Sequence, residues 1–106
     1  MRVLFDQGTP APLRHALVGH AVSTAYELGW ATLRNGELLA AADSCGFDVF
    51  ITTDTSLKYQ QNLKTRQIAI VVLGTTSWPR IKMVPEMIVS KVNAATARSY
   101  VEIAIP

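Results

Sequence analysis

The chain is expected to form an α/β domain around a mostly parallel, roughly five-stranded central sheet. Three features of the 106 residues lead there. Short β-branched runs alternate with segments of helical spacing, the pattern of βαβ units. Two of those runs, Phe47–Thr53 and Gln67–Leu73, are almost wholly apolar, as strands covered on both faces are. Two runs also end in an aspartate, Asp6 and Asp54, where a parallel strand opens into a loop.

In chain order, residues 2 to 6 form the first strand. Pro10 to Leu17 reads as a short helix, with Thr9 as N-cap, Pro10 at the first helical position and Leu13, Ala16 and Leu17 on one face. Gly19 ends it. His20 to Tyr26 is a weaker strand, followed by a turn at Gly29. Asn35 is positioned to cap a helix from Gly36 to about Cys45, whose apolar face is Leu38, Leu39, Ala41 and Ala42; Gly46 stops it. Phe47 to Thr53 then makes the central strand. Ser56 to Leu63 suggests a short helix, and Gln67 to Leu73 is the clearest buried strand. Arg80 to Ala97 carries helical spacing through Ile81, Val84, Ile88 and Val92, with Pro85 in a first turn. Tyr100 to Ile105 alternates as an edge strand would.

One domain of this length, half of it apolar, can bury an ordinary core. No run approaches a membrane span, and Asp6 and Gln7 interrupt any signal-peptide pattern, so the expected location is cytoplasmic and no membrane partner is expected. A single Cys45 excludes an internal disulfide. Following a helix of small apolar residues, it reads as a buried small hydrophobe. With two histidines besides, a structural zinc site has no ligand set. Net charge of +2 makes no bulk nucleic-acid footprint, although Lys58, Lys64 and Arg66 cluster after Asp54. No phosphate-binding glycine motif occurs.

Asp6 and Asp54 are the first candidates among eight carboxylates, because open α/β sheets bind ligands at strand carboxyl ends. Glu37, in the first turn of the helix that precedes the strand bearing Asp54, is the third, and Glu27, in the turn with Leu28 and Gly29, a fourth. Each has a purely structural alternative: a turn after a strand for Asp6, a helix N-cap for Asp54, a favourable charge at a helix N-terminus for Glu37, and a solvated loop acid for Glu27. Asp43 lies about 240° around the helix from Glu37 and cannot share its face. As ligands, such acids suit Mg²⁺ or Mn²⁺, hard ions that prefer oxygen. Tyr59 and Gln60, with Lys58, Lys64 and Arg66, could meet a nucleic-acid strand by stacking, base-edge hydrogen bonds and phosphate contacts; the alternative is a polar helix face with Tyr59 as a lid. Trp78 is either a groove aromatic or a packing anchor.

The run Arg2-Val3-Leu4-Phe5-Asp6-Gln7-Gly8-Thr9-Pro10, then Gly19-His20-Ala21-Val22 leading to Glu27-Leu28-Gly29, Asn35-Gly36-Glu37-Leu38-Leu39 and Ile51-Thr52-Thr53-Asp54 resemble the short bacterial PIN-like domains. These are similar to the PIN nucleases of toxin-antitoxin systems. The resemblance spans roughly residues 1 to 75 and implies a three-layer α/β/α fold gathering acids around Mg²⁺ or Mn²⁺ for RNA cleavage. It matches Asp6, Glu37 and Asp54 to the family's acids, and Glu27 to an acidic position of its turn. It also implies RNA as substrate and an antitoxin protein as partner. Homodimerisation is a separate expectation, through an apolar helix or the edge strand Tyr100 to Ile105. The chain departs where the family commonly has Glu-Asn after the first acid, here Gln7-Gly8, and a second Asp two residues past the third acid, here Ser56. Those departures suit the alternative of a PIN-like module that binds RNA or a protein without cutting. A receiver-type acidic pocket on a flavodoxin-like sheet is the third reading; it needs a lysine at a later strand end.

Overall fold

The computed structural model describes residues 1–60 and 66–106, apart from the side chains of residues 59 and 60. Five strands, β1 (Arg2–Phe5), β2 (Ala21–Thr24), β3 (Val49–Thr52), β4 (Ala69–Leu73) and β5 (Tyr100–Ile103), form one sheet in the order β2-β1-β3-β4-β5. Every pairing is parallel, so the expected five-stranded, mostly parallel sheet is in fact parallel throughout. Register follows side-chain alternation: Val3 aligns with Val22 and Val49, and Leu4 with Phe50. Two apolar faces result, as parallel sheets require.

One face, built on Val3, Phe5, Val49, Ile51, Val71 and Leu73, is covered by the 3-10 helix Ala11–Ala16 and by α3 (Trp78–Ile81) and α4 (Pro85–Asn93). The other, built on Leu4, Phe50, Ile70 and Val72, is covered by α1 (Asn35–Ser44) and α2 (Leu57–Gln60). This gives three layers.

The connections explain how cover is shared. β1 to β2 steps one way over the first face, while β2 to β3 and β3 to β4 step the other way over the second, so all three wind with the same hand. The connection from β4 to β5 keeps that second direction but carries α3 and α4 over the first face, and so winds with the opposite hand, against the strong preference for one. The 3-10 helix alone offers only Leu13 and its neighbours to the first face; Ile81, Ile88 and Val92 of the last crossover cover what it leaves bare beside β4.

Several expected elements shift. The helix over Pro10–Leu17 is a six-residue 3-10 helix with Pro10 as its N-cap, because Pro10 and Pro12 supply no N–H and Thr9 is occupied elsewhere. Asn35 is not the cap of α1: Arg34 is, and its N–H donates to Glu37 Oε1 at 3.0 Å. The span Arg80–Ala97 is not one helix but α3 and α4, because Pro85 pushes Val84 out of the helical region, to φ −135° and ψ 47°. Pro85 does open a first turn, that of α4. Cys45 is exposed, not buried, at the C-cap of α1. Gly46 follows at φ +80°, the left-handed conformation that ends α1 without a Cβ penalty. Leu63, expected in the helix after Asp54, lies outside the described residues. Among those described, no helix is long and apolar enough to cross a membrane.

Truncating Ile88 to alanine removes a fully buried side chain that closes the first face, and should cost about 2–5 kcal/mol in urea unfolding. Met83→Ser, at a position 73% exposed, should stay within about 0.5 kcal/mol of wild type.

Candidate functional site

In a sheet of order 2-1-3-4-5 the chain leaves β1 and β3 toward opposite faces, opening a crevice between their carboxyl ends. Asp6 follows β1 directly and Asp54 lies two residues past β3, so both expected acids flank that switch point. Asp6 is 4% exposed, and four donors meet its carboxylate. Thr9 N (2.9 Å) and Thr9 Oγ1 (2.6 Å) donate to Oδ1; Thr52 Oγ1 (2.6 Å) and Thr53 N (3.4 Å) donate to Oδ2. The Thr52 hydroxyl that donates to Asp6 also accepts from the backbone N–H of Asp54 at 3.0 Å, coupling the two acids through one side chain.

Asp54 is half-buried. Its Oδ1 accepts from Ser56 N at 2.9 Å and Ser56 Oγ at 2.6 Å, and its Oδ2 from Asn35 Nδ2 at 3.1 Å. The Ser56 hydroxyl, outweighing partial burial and aided by Asn35, holds its pKa below the ordinary aspartate value. With two lone pairs on each carboxylate oxygen, Asp6 is saturated by protein donors, whereas Asp54 Oδ2 meets one donor among the described residues. Gly8 sits where the two loops meet: a Cβ there would strike Thr53 Oγ1. Gln7 spans the mouth toward α1, its Nε2 donating to the carbonyl oxygens of Ala31 (3.0 Å) and Leu33 (2.7 Å).

Compared with known proteins, the chain matches no family model, no curated protein and no solved structure. The residues themselves must therefore carry the reading.

Glu37 stands exposed at the start of α1, one oxygen bound to the Arg34 N–H; Asn35 connects that helix end to Asp54. Glu27 is committed elsewhere. Its carboxylate pairs in two-pronged fashion with Arg14, at 2.6 and 3.0 Å, and accepts from Thr24 N at 2.9 Å. The Arg14 hydrogen bond, with that from Thr24, lowers its pKa from 4.5 to about 2. Among the described residues, no three of His, Cys, Asp and Glu converge on one point, so the acids do not form the compact cluster expected of Asp6, Glu37 and Asp54. The reason is that each acid is turned toward protein donors: Asp6 toward Thr9, Thr52 and Thr53, Asp54 toward Ser56 and Asn35, and Glu37 toward the Arg34 N–H.

Of the expected strand-binding residues, Lys58 pairs with Glu102 at 3.1 Å. Arg66 lies three residues before β4, at the amino-terminal end of the sheet and away from the acids, so it cannot serve this mouth. The side chains of Tyr59 and Gln60, and Lys64 as a whole, lie outside the described residues. A receiver-type pocket lacks its lysine, since Gly74-Thr75-Thr76 follow β4 and Ala104-Ile105-Pro106 follow β5.

Sequence reasoning missed Thr9, Thr52, Asn35 and Arg14. Threonine three residues after Asp6 is a local signal for the loop bond, and Ser56 two residues after Asp54 for an Asx-type turn. The Arg14–Glu27 pair joins two different connections and left no such trace.

Thr52→Val keeps the shape of the side chain and removes the shared hydroxyl; it should cost about 1–3 kcal/mol in chemical unfolding, since Asp6 loses its donor in a buried place. Glu27 is depressed when folded, so its pair with Arg14 stabilises fully above its ordinary value of 4.5 and is lost as pH falls toward 2. Acid unfolding curves of Glu27→Gln should therefore be flatter than wild type across that window.

Proposed function

We propose that the protein is a metal-dependent ribonuclease of PIN-like type, acting at the carboxyl ends of β1 and β3. The observation that carries this is the coupling of Asp6 and Asp54 through the Thr52 hydroxyl at the switch point. Mg²⁺ takes only one or two carboxylates and completes its shell with water and substrate phosphate, so a cluster of three acids is not required.

The donor set fits such an ion: hard oxygens, one partly exposed carboxylate whose Oδ2 meets one donor among the described residues, and a neighbour whose orientation is locked by hydroxyls. Asp54 is the residue that would hold it first, with Glu37 at the adjoining helix end and Asp6 behind. A bound Mg²⁺ or Mn²⁺ supplies charge neutralisation on the phosphate and a more acidic water. Asn35 and Ser56 keep Asp54 ionised and aimed. Asp6 fixes the loop it stands on and adds negative charge that favours a cation. An antitoxin-type protein would act by covering this mouth.

A second reading, a PIN-like module that binds RNA without cutting, is favoured by the saturation of Asp6 by four protein donors. The discriminating experiment is Mn²⁺-dependent cleavage of a single-stranded RNA panel by purified protein. Asp54→Asn should lower the rate by about a hundredfold or more. Asp6→Asn should do likewise, with its fold checked by urea unfolding because it reverses one donor pair. Intact RNA with wild-type protein, or equal cleavage by Asp54→Asn, rejects the nuclease and leaves the binding module.

A further inference from the structure

Beside Asp6, on the side of the 3-10 helix, a cleft of about 600 Å³ runs between the loops after β1, β2 and β4. Asp6, Arg14, Tyr26, Glu27, Thr76 and Trp78 are among its walls. We propose that this cleft is a subsite for an unpaired nucleobase of single-stranded RNA, stacked on Tyr26 with Trp78 as a second apolar surface. The inference rests on the RNA reading above and names how the substrate is gripped.

Tyr26 carries the first argument. It is 83% exposed although it lies beside buried Ala25, in a turn that does not need its ring. That turn is held by Thr24 N to Glu27 Oε1, by Glu27 N to Thr24 Oγ1, and by the backbone bonds Gly29 N to Tyr26 O and Trp30 N to Ala25 O. A large aromatic ring left in water at a cleft edge offers a stacking face, and every base has a face to match. Trp78 supplies the second: it packs against the first-face core yet remains half-exposed in the cleft wall.

Charge supplies the second argument. Asp6 and Glu27 against Arg14 leave the cleft negative by one, and Arg14 already donates to both Glu27 oxygens and to Val22 O at 2.9 Å. A phosphate is therefore disfavoured here, whereas a flat, neutral, polar group is not. Gln7, whose amide hydrogens go to Ala31 and Leu33, keeps its carbonyl oxygen as an acceptor, and the exposed Thr76 brings a hydroxyl. The volume lies in the range of small-molecule sites, and the acids of the proposed cleavage site share this mouth through Asp6.

Fluorescence tests this directly. The chain has two tryptophans, and Trp30 packs under the other face against Phe47, so Trp30→Phe leaves Trp78 as the reporter. Titrating that protein in EDTA with a short single-stranded RNA should quench Trp78. Tyr26→Ala should weaken the affinity about tenfold and Tyr26→Phe should retain it. Absence of quenching, or unchanged affinity in Tyr26→Ala, overturns the subsite. Equally tight binding of adenosine monophosphate would assign the base to a free nucleotide and overturn the strand as its source. Cleavage on adding Mn²⁺ without Trp78 quenching sinks the subsite and leaves the nuclease standing; quenching without cleavage supports the subsite and sinks the nuclease.

Discussion

The carboxylate of Asp6 organises the carboxyl-terminal end of the sheet. It sits at 4% exposure between two loops that leave the sheet toward opposite faces, and it takes donors from both: Thr9 on its own loop, Thr52 and Thr53 at the end of β3. An ionised carboxylate in so dry a place is tolerated only when its lone pairs are matched. Four donors drawn from both loops match those lone pairs and fasten the two strand ends together. Gly8 and Thr53 are in close approach there for the same reason.

The two ends of the sheet are built differently. At the amino-terminal end, acids close loops: Asp48 accepts from Arg2 N at 2.8 Å, and Asp43 from the N–H groups of Gln67 and Ile68 at 3.2 Å. Those carboxylates meet backbone N–H groups. At the carboxyl end, hydroxyls of Thr9, Thr52 and Ser56 do much of the bonding and leave acids, aromatic rings and an open cleft at the surface. The opposite-handed crossover is part of this arrangement. By carrying the chain after β4 over the 3-10 helix, it brings Trp78 to the same mouth as Asp6.

Most elements were legible because their signals are local. Apolar runs marked β3 and β4, glycine marked the end of α1, and Pro85 was legible as a first-turn residue although the break before it was not, since a proline or a left-handed turn constrains its own backbone whatever surrounds it. Two caps were misplaced for a related reason. Thr9 and Asn35 are good caps by composition, yet both give their polar groups to aspartates, Thr9 to Asp6 on its own loop and Asn35 to Asp54 beyond β3, where a charged acceptor outcompetes a helix end.

Sequence alone determined the layered α/β class, the strand runs and the placement of aspartates just past two of them, because alternation, burial pattern and turn chemistry are written residue by residue. Tertiary structure decided what those aspartates meet. The strand order sets Asp6 and Asp54 past adjacent strand ends and Arg66 at the far end, and the bonds from Thr52 and Thr53 to Asp6 and from Arg14 to Glu27 join residues many positions apart. Such contacts depend on where loops from different layers converge, a property of the whole sheet and its crossovers rather than of any one segment.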